Sequence, residues 1–279
     1  GTGATVLPLN DPVRVAEQAA VLDQLSRGRF DFGVGRGFIR YEFDAFGVEM
    51  KESRERVEEG VHLIKQAWTE PTLEFEGLFR PKMTDLPILP PVFQKPHPPI
   101  WIACLLSPES FEWTANEGHH LLYVAYHVDH DQAVERIGWY RDALVKSGRK
   151  IEDHEVCCVY HTHFLAEGNN TILEATVHTA MAEYAKAGLE ATRKPADPIA
   201  YKGYEQRDAG QRKFEFESYF PGRVLMGGPE QSIERCKVLA EVGITQIGML
   251  IDFGSLPQME IMRSLEIFSK EVLPHVRDL

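Results

Sequence analysis

Two short stretches carry residue types that could hold an anion. In Gly33-Val34-Gly35-Arg36-Gly37, alternate glycines close an apolar run and bracket an arginine. Glycine lets the backbone approach a ligand and take turns that a Cβ forbids, and a guanidinium offers a planar fork of donors that matches a phosphate. The pattern is not the G-x-G-x-x-G dinucleotide fingerprint, because these glycines run into Phe38-Ile39-Arg40-Tyr41 instead of opening a helix. Two readings of Arg36 stand: an anion-binding cation, or a structural arginine paired with a carboxylate such as Glu42 or Asp44. The second stretch, Ser107-Pro108-Glu109-Ser110, opens a helix at the end of a strand. Backbone N–H groups and the helix dipole favour an anion there, and an ordinary N-cap by Ser107 is the alternative.

Other reactive side chains read as structural. His161 and His163 share one face of a strand, while His119-His120 and His127-x-x-His130 fall near strand ends. No carboxylate accompanies them at a recognised metal spacing, so packed histidines are expected and no metal site is nominated. Cys104, Cys157, Cys158 and Cys236 lack C-x-x-C spacing and sit in apolar runs. They read as reduced packing residues of a cytoplasmic protein.

The elements that position these residues alternate strand and helix. Residues 4–9 (ATVLPL) form a short strand, and Asn10-Asp11-Pro12 then starts a helix to about Ser26. The apolar surface of that helix is too wide for one contact, which points to a subunit interface. A strand over 29–34 precedes a helix with Val57, Val61, Ile64 and Trp68 at i, i+4, i+7 and i+11. The proline-rich segment at about 70–99 cannot hold a helix and reads as an ordered insertion or small hairpin. Strands over 100–104, 121–126, 156–165 and 246–251 follow, each with its helix. The charged stretch 189–228 is long enough to be a functional lid. Strand-then-helix repetition implies a parallel sheet with right-handed crossovers. The count falls short of a closed barrel, so strands are expected ahead of Gly1.

A chain of 279 residues can bury a full core, and one domain over 1–279 is expected. The formal charge of −12 disfavours a nucleic-acid or anionic-membrane partner, whose binding needs clustered Lys and Arg. No apolar run is long enough for a membrane helix, and no signal segment opens the chain.

Residues 7–54 (LPLNDPVRVAEQAAVLDQLSRGRFDFGVGRGFIRYEFDAFGVEMKESR) resemble the signature segment of the bacterial luciferase superfamily of flavin-dependent monooxygenases. SPESFEWTANEG at 107–118 and GGPEQSIERCKVLAEVGITQIGMLIDFG at 227–254 extend the resemblance over most of the chain, with the lid its weakest part. It implies a TIM (β/α)8 barrel lacking its first two β/α units, a homodimer through helix 11–26, and reduced FMN supplied by a separate reductase. The implied reaction is attack of reduced FMN on O2 to give a 4a-peroxyflavin, which oxygenates an aldehyde, ketone or similar small molecule. By the same resemblance Arg36, Ser107 and Ser110 hold the FMN phosphate, with Gly35, Gly37 and Phe38 beside it. Leu106 stands where luciferases have an acidic residue whose main-chain amide makes the contact. Tyr123 and Ala125 belong to the strand beside the flavin ring, although which alternate members of 123–126 face inward is left open, as is plain core packing for the tyrosines. The family's catalytic histidine is expected upstream of Gly1, so no catalytic residue is nominated. The superfamily also holds deazaflavin-dependent oxidoreductases and non-catalytic flavin-binding or structural relatives.

Overall fold

The computed structural model describes residues 1–124, 129–202, 204 and 215–279. It consists of two compact units, Gly1–Cys104 with Lys194–Lys202, and Leu105–Arg193 with Gly203–Leu279.

In the first unit, strand β1 (Thr5–Val6) runs into helix α1 (Pro12–Ser26) and then β2 (Phe32–Gly35). The side chain of Asp11 caps α1, accepting from the amides of Val13 at 2.9 Å and Arg14 at 3.3 Å, and Pro12 occupies the first turn, where its missing N–H costs nothing. The helix stops where Arg27 and Gly28 turn left-handed, with φ of 54° and 77°. Helix α2 (Arg40–Phe46) and helix α3 (Ser53–Thr69) follow, and Val57, Val61, Ile64 and Trp68 are all buried, as their spacing requires. The Trp68 indole donates to the Ala16 carbonyl at 3.0 Å and meets Phe32 edge-on, locking α1 and β2 to α3. Within 70–99, β3 (Leu73–Phe75) and β4 (Met83–Leu86) pair as an antiparallel hairpin. Strand β5 (Ile100–Cys104) then joins the sheet in the order β1-β2-β5, all parallel. The strand read over 29–34 starts at Phe32, because the carbonyl and carboxylate of Asp31 are taken by the Thr2 amide and the Trp101 indole.

The second unit begins with helix α4 (Pro108–Asn116), strand β6 (His120–Val124), helix α5 (His130–Lys146) and the long strand β7 (Val156–Phe164). After helix α6 (Asn170–Ala191) come a buried turn, α7 (Phe216–Tyr219), strand β8 (Leu225–Gly227), helix α8 (Pro229–Glu241), strand β9 (Gln246–Leu250) and helix α9 (Gln258–Ile267). On one side β7 pairs with β6; on the other it pairs with β9 along its first half and with β8 at its end, always in parallel. The fold is therefore α/β with a mostly parallel sheet. Among the described residues β1 pairs with β2 alone and β9 with β7 alone.

Of the stretch 189–228, read from its composition as a lid, residues 203 and 205–214 lie outside the described residues, and part of the remainder is core. Phe216, Tyr219, Val224 and Met226 are buried with Leu173 and Phe253 in the core of the second unit. A short apolar run inside a charged segment has too few residues to show a period, although its burial stabilises the unit as any core does.

Candidate functional site

Strand β2 determines where Arg36 emerges. Phe32 points to the helix layer against Trp68, so alternation sends Gly33 and Gly35 to the opposite face. A Cβ on Gly35 would meet Ala103 at 3.4 Å and Ala4 at 3.6 Å in ordinary van der Waals contact, whereas one on Gly33 would stand 1.9 Å from the Thr2 carbonyl, so close backbone approach requires glycine at 33. Gly37 has φ +70°, and a Cβ there would stand 2.6 Å from Val6 Cγ1, so the turn after Arg36 requires glycine.

The half-buried Arg36 side chain answers to neutral oxygens. It donates from Nε (3.4 Å) and Nη2 (3.0 Å) to Ser53 Oγ, and again from Nη2 to the Ala200 carbonyl at 3.1 Å. The Tyr201 ring lies beneath the guanidinium, its centroid 4.5 Å from Cζ. The Tyr201 hydroxyl donates to the same Ser53 Oγ at 2.8 Å, and burial raises its pKa, so it remains a donor at neutral pH. Among the described residues no carboxylate lies within ion-pair distance of Arg36. Asp44, which with Glu42 was a sequence candidate for that pairing, is instead held by Arg40 at 3.0 Å and Lys194 at 3.1 Å. Nearby, burial raises the Glu58 pKa and the charge of Glu55 adds to it, while Arg54, His62 and Arg36 pull it down, so acids and bases are mixed around Arg36. Ser53, Arg54 and Tyr201 escaped the sequence reading: Tyr201 and Ser53 are 148 residues apart, and no local pattern signals such a meeting.

In the second unit, Ser107 precedes α4 but its side chain makes no cap bond. It donates to Glu109 Oε2 at 2.5 Å, which corrects the ordinary-cap alternative. The Ser110 carbonyl accepts from Thr114 Oγ1 at 2.6 Å, and Leu106 and Phe38, each in its own unit, are half-buried. Tyr123 settles the question of alternation on β6. Fully buried, its ring meets Phe111 edge-on and its hydroxyl accepts from Arg136 Nη1 at 3.2 Å. Burial pushes its pKa up to about 12. Tyr123 thus faces α4 and α5 as a core residue, and its nomination beside a flavin ring is withdrawn, since a side chain cannot serve both faces of a strand. Ala125, Tyr126 and His127 lie outside the described residues.

The histidines are packed. His119 leans on Trp113, and His120 Nδ1 accepts from the Glu155 amide at 3.0 Å. Among the described residues no group of His, Cys, Asp and Glu could hold a metal ion. His161 is 2% exposed between Tyr184 and Phe253, and burial pushes its pKa down to about 4. An unfolded histidine titrates near 6.5. The folded chain therefore resists a proton that the unfolded chain accepts, so His161 adds no penalty above pH ~6.5, and stability falls as pH drops from there towards 4. Between pH 7 and 5 urea denaturation should show a loss on the order of 2 kcal/mol, and His161→Phe should flatten that slope. An unchanged slope would assign the pH dependence to other groups.

The luciferase-like monooxygenase family model matches residues 1–246. The chain belongs to the luciferase-like monooxygenase family. Among curated relatives, the oxygenase component of a flavin-dependent trigonelline monooxygenase from Acinetobacter baylyi is 26% identical over 98% of this chain and 75% of its own length. The alkanal monooxygenase alpha chain of Photorhabdus luminescens is 25% identical over 100% of this chain and 78% of its own. Of solved structures, the monooxygenase RslO1 from Streptomyces bottropensis superposes with a TM-score of 0.74 at 29% identity, over 98% of this chain and 77% of that one. A coenzyme F420-dependent tetrahydromethanopterin reductase from Methanopyrus kandleri gives 0.71 at 18% identity, over 98% and 82%, a likeness of fold alone. No helix among the described residues is long and apolar enough to cross a membrane.

Proposed function

We propose that this chain is the oxygenase of an FMN-dependent monooxygenase system and that Arg36 is the cation for the FMN phosphate. The observation that carries this reading is a half-buried arginine whose hydrogen bonds, among the described residues, go to a hydroxyl and a carbonyl. A half-buried guanidinium that makes no ion pair among the described residues gains from a bound phosphate, which would accept its charge-assisted hydrogen bonds. Gly35, Gly37 and Phe38 would let the ring system approach, and Arg54 would add a second positive field. Leu106, through its amide, and Ser107 and Ser110 at the tip of α4 are further proposed donors. Reduced flavin, when bound, supplies the electrons that activate dioxygen, and a separate reductase delivers it. The chain's own part is to bind and orient the cofactor, exclude water and admit a small organic substrate such as an aldehyde or ketone. A cytoplasmic location goes with this reading.

The test is titration with FMN and with a deazaflavin. Tight FMN binding and substrate-dependent oxygen uptake with reductase-supplied reduced FMN are expected. Preference for the deazaflavin, with hydride transfer and no oxygen uptake, would favour the alternative that the fold likeness to an F420 enzyme supports. Binding without turnover would favour a non-catalytic flavin-binding relative.

A homodimer through α1 is part of the proposal. Val15, Ala16, Ala19 and Ala20 are spent on the core, yet Val21, Leu22 and Leu25 are 42%, 44% and 76% exposed on the same helix. Light scattering should give twice the chain mass for the wild type and a shift towards monomer for Leu25→Glu. A wild-type monomer at micromolar concentration would contradict it.

A further inference from the structure

Arg136 lies in α5 three residues after buried Ala133 and four before buried Tyr140. Helical spacing sets it beside the packed face of the helix, where a guanidinium must find acceptors. It is half-buried, and its Nη1 donates to the Leu105 carbonyl at 3.3 Å and to the Tyr123 hydroxyl at 3.2 Å. Its Nε is buried and meets no acceptor among the described residues. The Tyr123 ring is wedged edge-on against Phe111 of α4, and Phe111 in turn meets Trp139 of α5 edge-on, so the phenol is fixed and the guanidinium is held against the turn that leads into α4. Among the described residues Arg136 makes no ion pair. Asp129, at the start of the same helix, spends its carboxylate on the Gln132 amide at 3.0 Å.

Leu105 and Leu106 share one trans peptide, a planar unit whose C=O and N–H point in opposite directions. A bond to the carbonyl on one side therefore fixes where the N–H on the other side points. A cationic donor on that carbonyl also polarises the unit and strengthens the N–H as a donor in its turn. We propose that Arg136 is a positioning residue for the phosphate: through the Leu105–Leu106 peptide it aims and strengthens the Leu106 amide without touching the anion itself. The inference rests on the reading of the Leu106 amide as a phosphate donor and adds the residue that prepares it. Arg136 stands 31 residues from Leu105, outside every motif of the sequence, and only the packing of α5 on α4 brings it to this peptide.

Arg136→Met removes the donors and the charge but keeps an unbranched stem. FMN affinity should fall roughly three- to tenfold, the loss of one cation acting across one peptide. Riboflavin, which lacks the phosphate, should bind both proteins equally, whereas a role in packing alone would weaken both ligands alike. Arg136→Lys, which keeps the charge and a donor, should recover part of the loss. Arg136→Gln keeps a neutral donor in case the methionine variant folds poorly, and should lose roughly two- to threefold with riboflavin again unmoved. Tyr123→Phe removes the other acceptor of Nη1 and leaves the Leu105 bond in place, so FMN affinity should stay within about twofold of wild type. Unchanged FMN affinity in the methionine and glutamine variants, a fall shared equally by riboflavin, or a Tyr123→Phe loss as large as that of Arg136→Met overturns the proposal. The wild type and Arg36→Ala separate the two levels. If the wild type binds FMN no better than riboflavin, the phosphate reading itself fails; if Arg36→Ala abolishes a preference that the Arg136 variants keep whole, only the role of Arg136 fails.

Discussion

Asp23→Ala should lower the free energy of unfolding by roughly 3 kcal/mol, a cost set by orphaned donors more than by lost packing. Asp23 is fully buried in the last turns of α1, where a negative charge opposes the helix dipole. Its carboxylate is kept there by the amides of Phe93 at 2.7 Å and Gln94 at 2.9 Å and by the Gln94 side-chain amide at 2.8 Å. Removing it leaves two backbone donors without their acceptor in a place that water reaches poorly. Asn keeps one acceptor oxygen and should cost about half as much. Thermal or urea unfolding measures both, and a loss below about 1 kcal/mol for the alanine variant would mean that solvent reaches the loop and satisfies it.

The second large effect concerns Arg36. Arg36→Ala should weaken FMN binding at least tenfold, because charge-assisted hydrogen bonds to a phosphate contribute about 1.5–3 kcal/mol each. Arg36→Lys should recover part of the loss, since an ammonium restores the charge but not the planar fork. Riboflavin affinity should hardly change in either variant. Calorimetric or fluorescence titration decides, and an FMN affinity equal to wild type in the alanine variant rejects the role.

Much of the scaffold was legible because its signals are local. Asp11-Pro12 marks the start of α1, Val57, Val61, Ile64 and Trp68 show the buried face of α3, and residues 100–104 form the strand their apolar run implies. The glycines around Arg36 were legible too, since turns and close approaches demand them at identifiable places. Three things were not. The face chosen by Tyr123 depends on the register of β6 against β7, which alternation alone leaves two-valued. The buried Phe216–Tyr219 turn is too short for a period to emerge from its charged surroundings. The partners of Arg36 were the largest omission: Ser53 lies 17 residues away and Ala200 164 away, and only the folded chain brings them to one guanidinium. The sequence singled out Arg36 and offered Glu42 or Asp44, both local acids, as its structural partner, but Asp44 is taken by a local base, Arg40.

A crystal structure of the chain grown with FMN addresses the central claim most directly. The account predicts phosphate oxygens at hydrogen-bond distance from the Arg36 guanidinium. FMN bound with its phosphate on other groups, out of hydrogen-bond reach of Arg36, would contradict it.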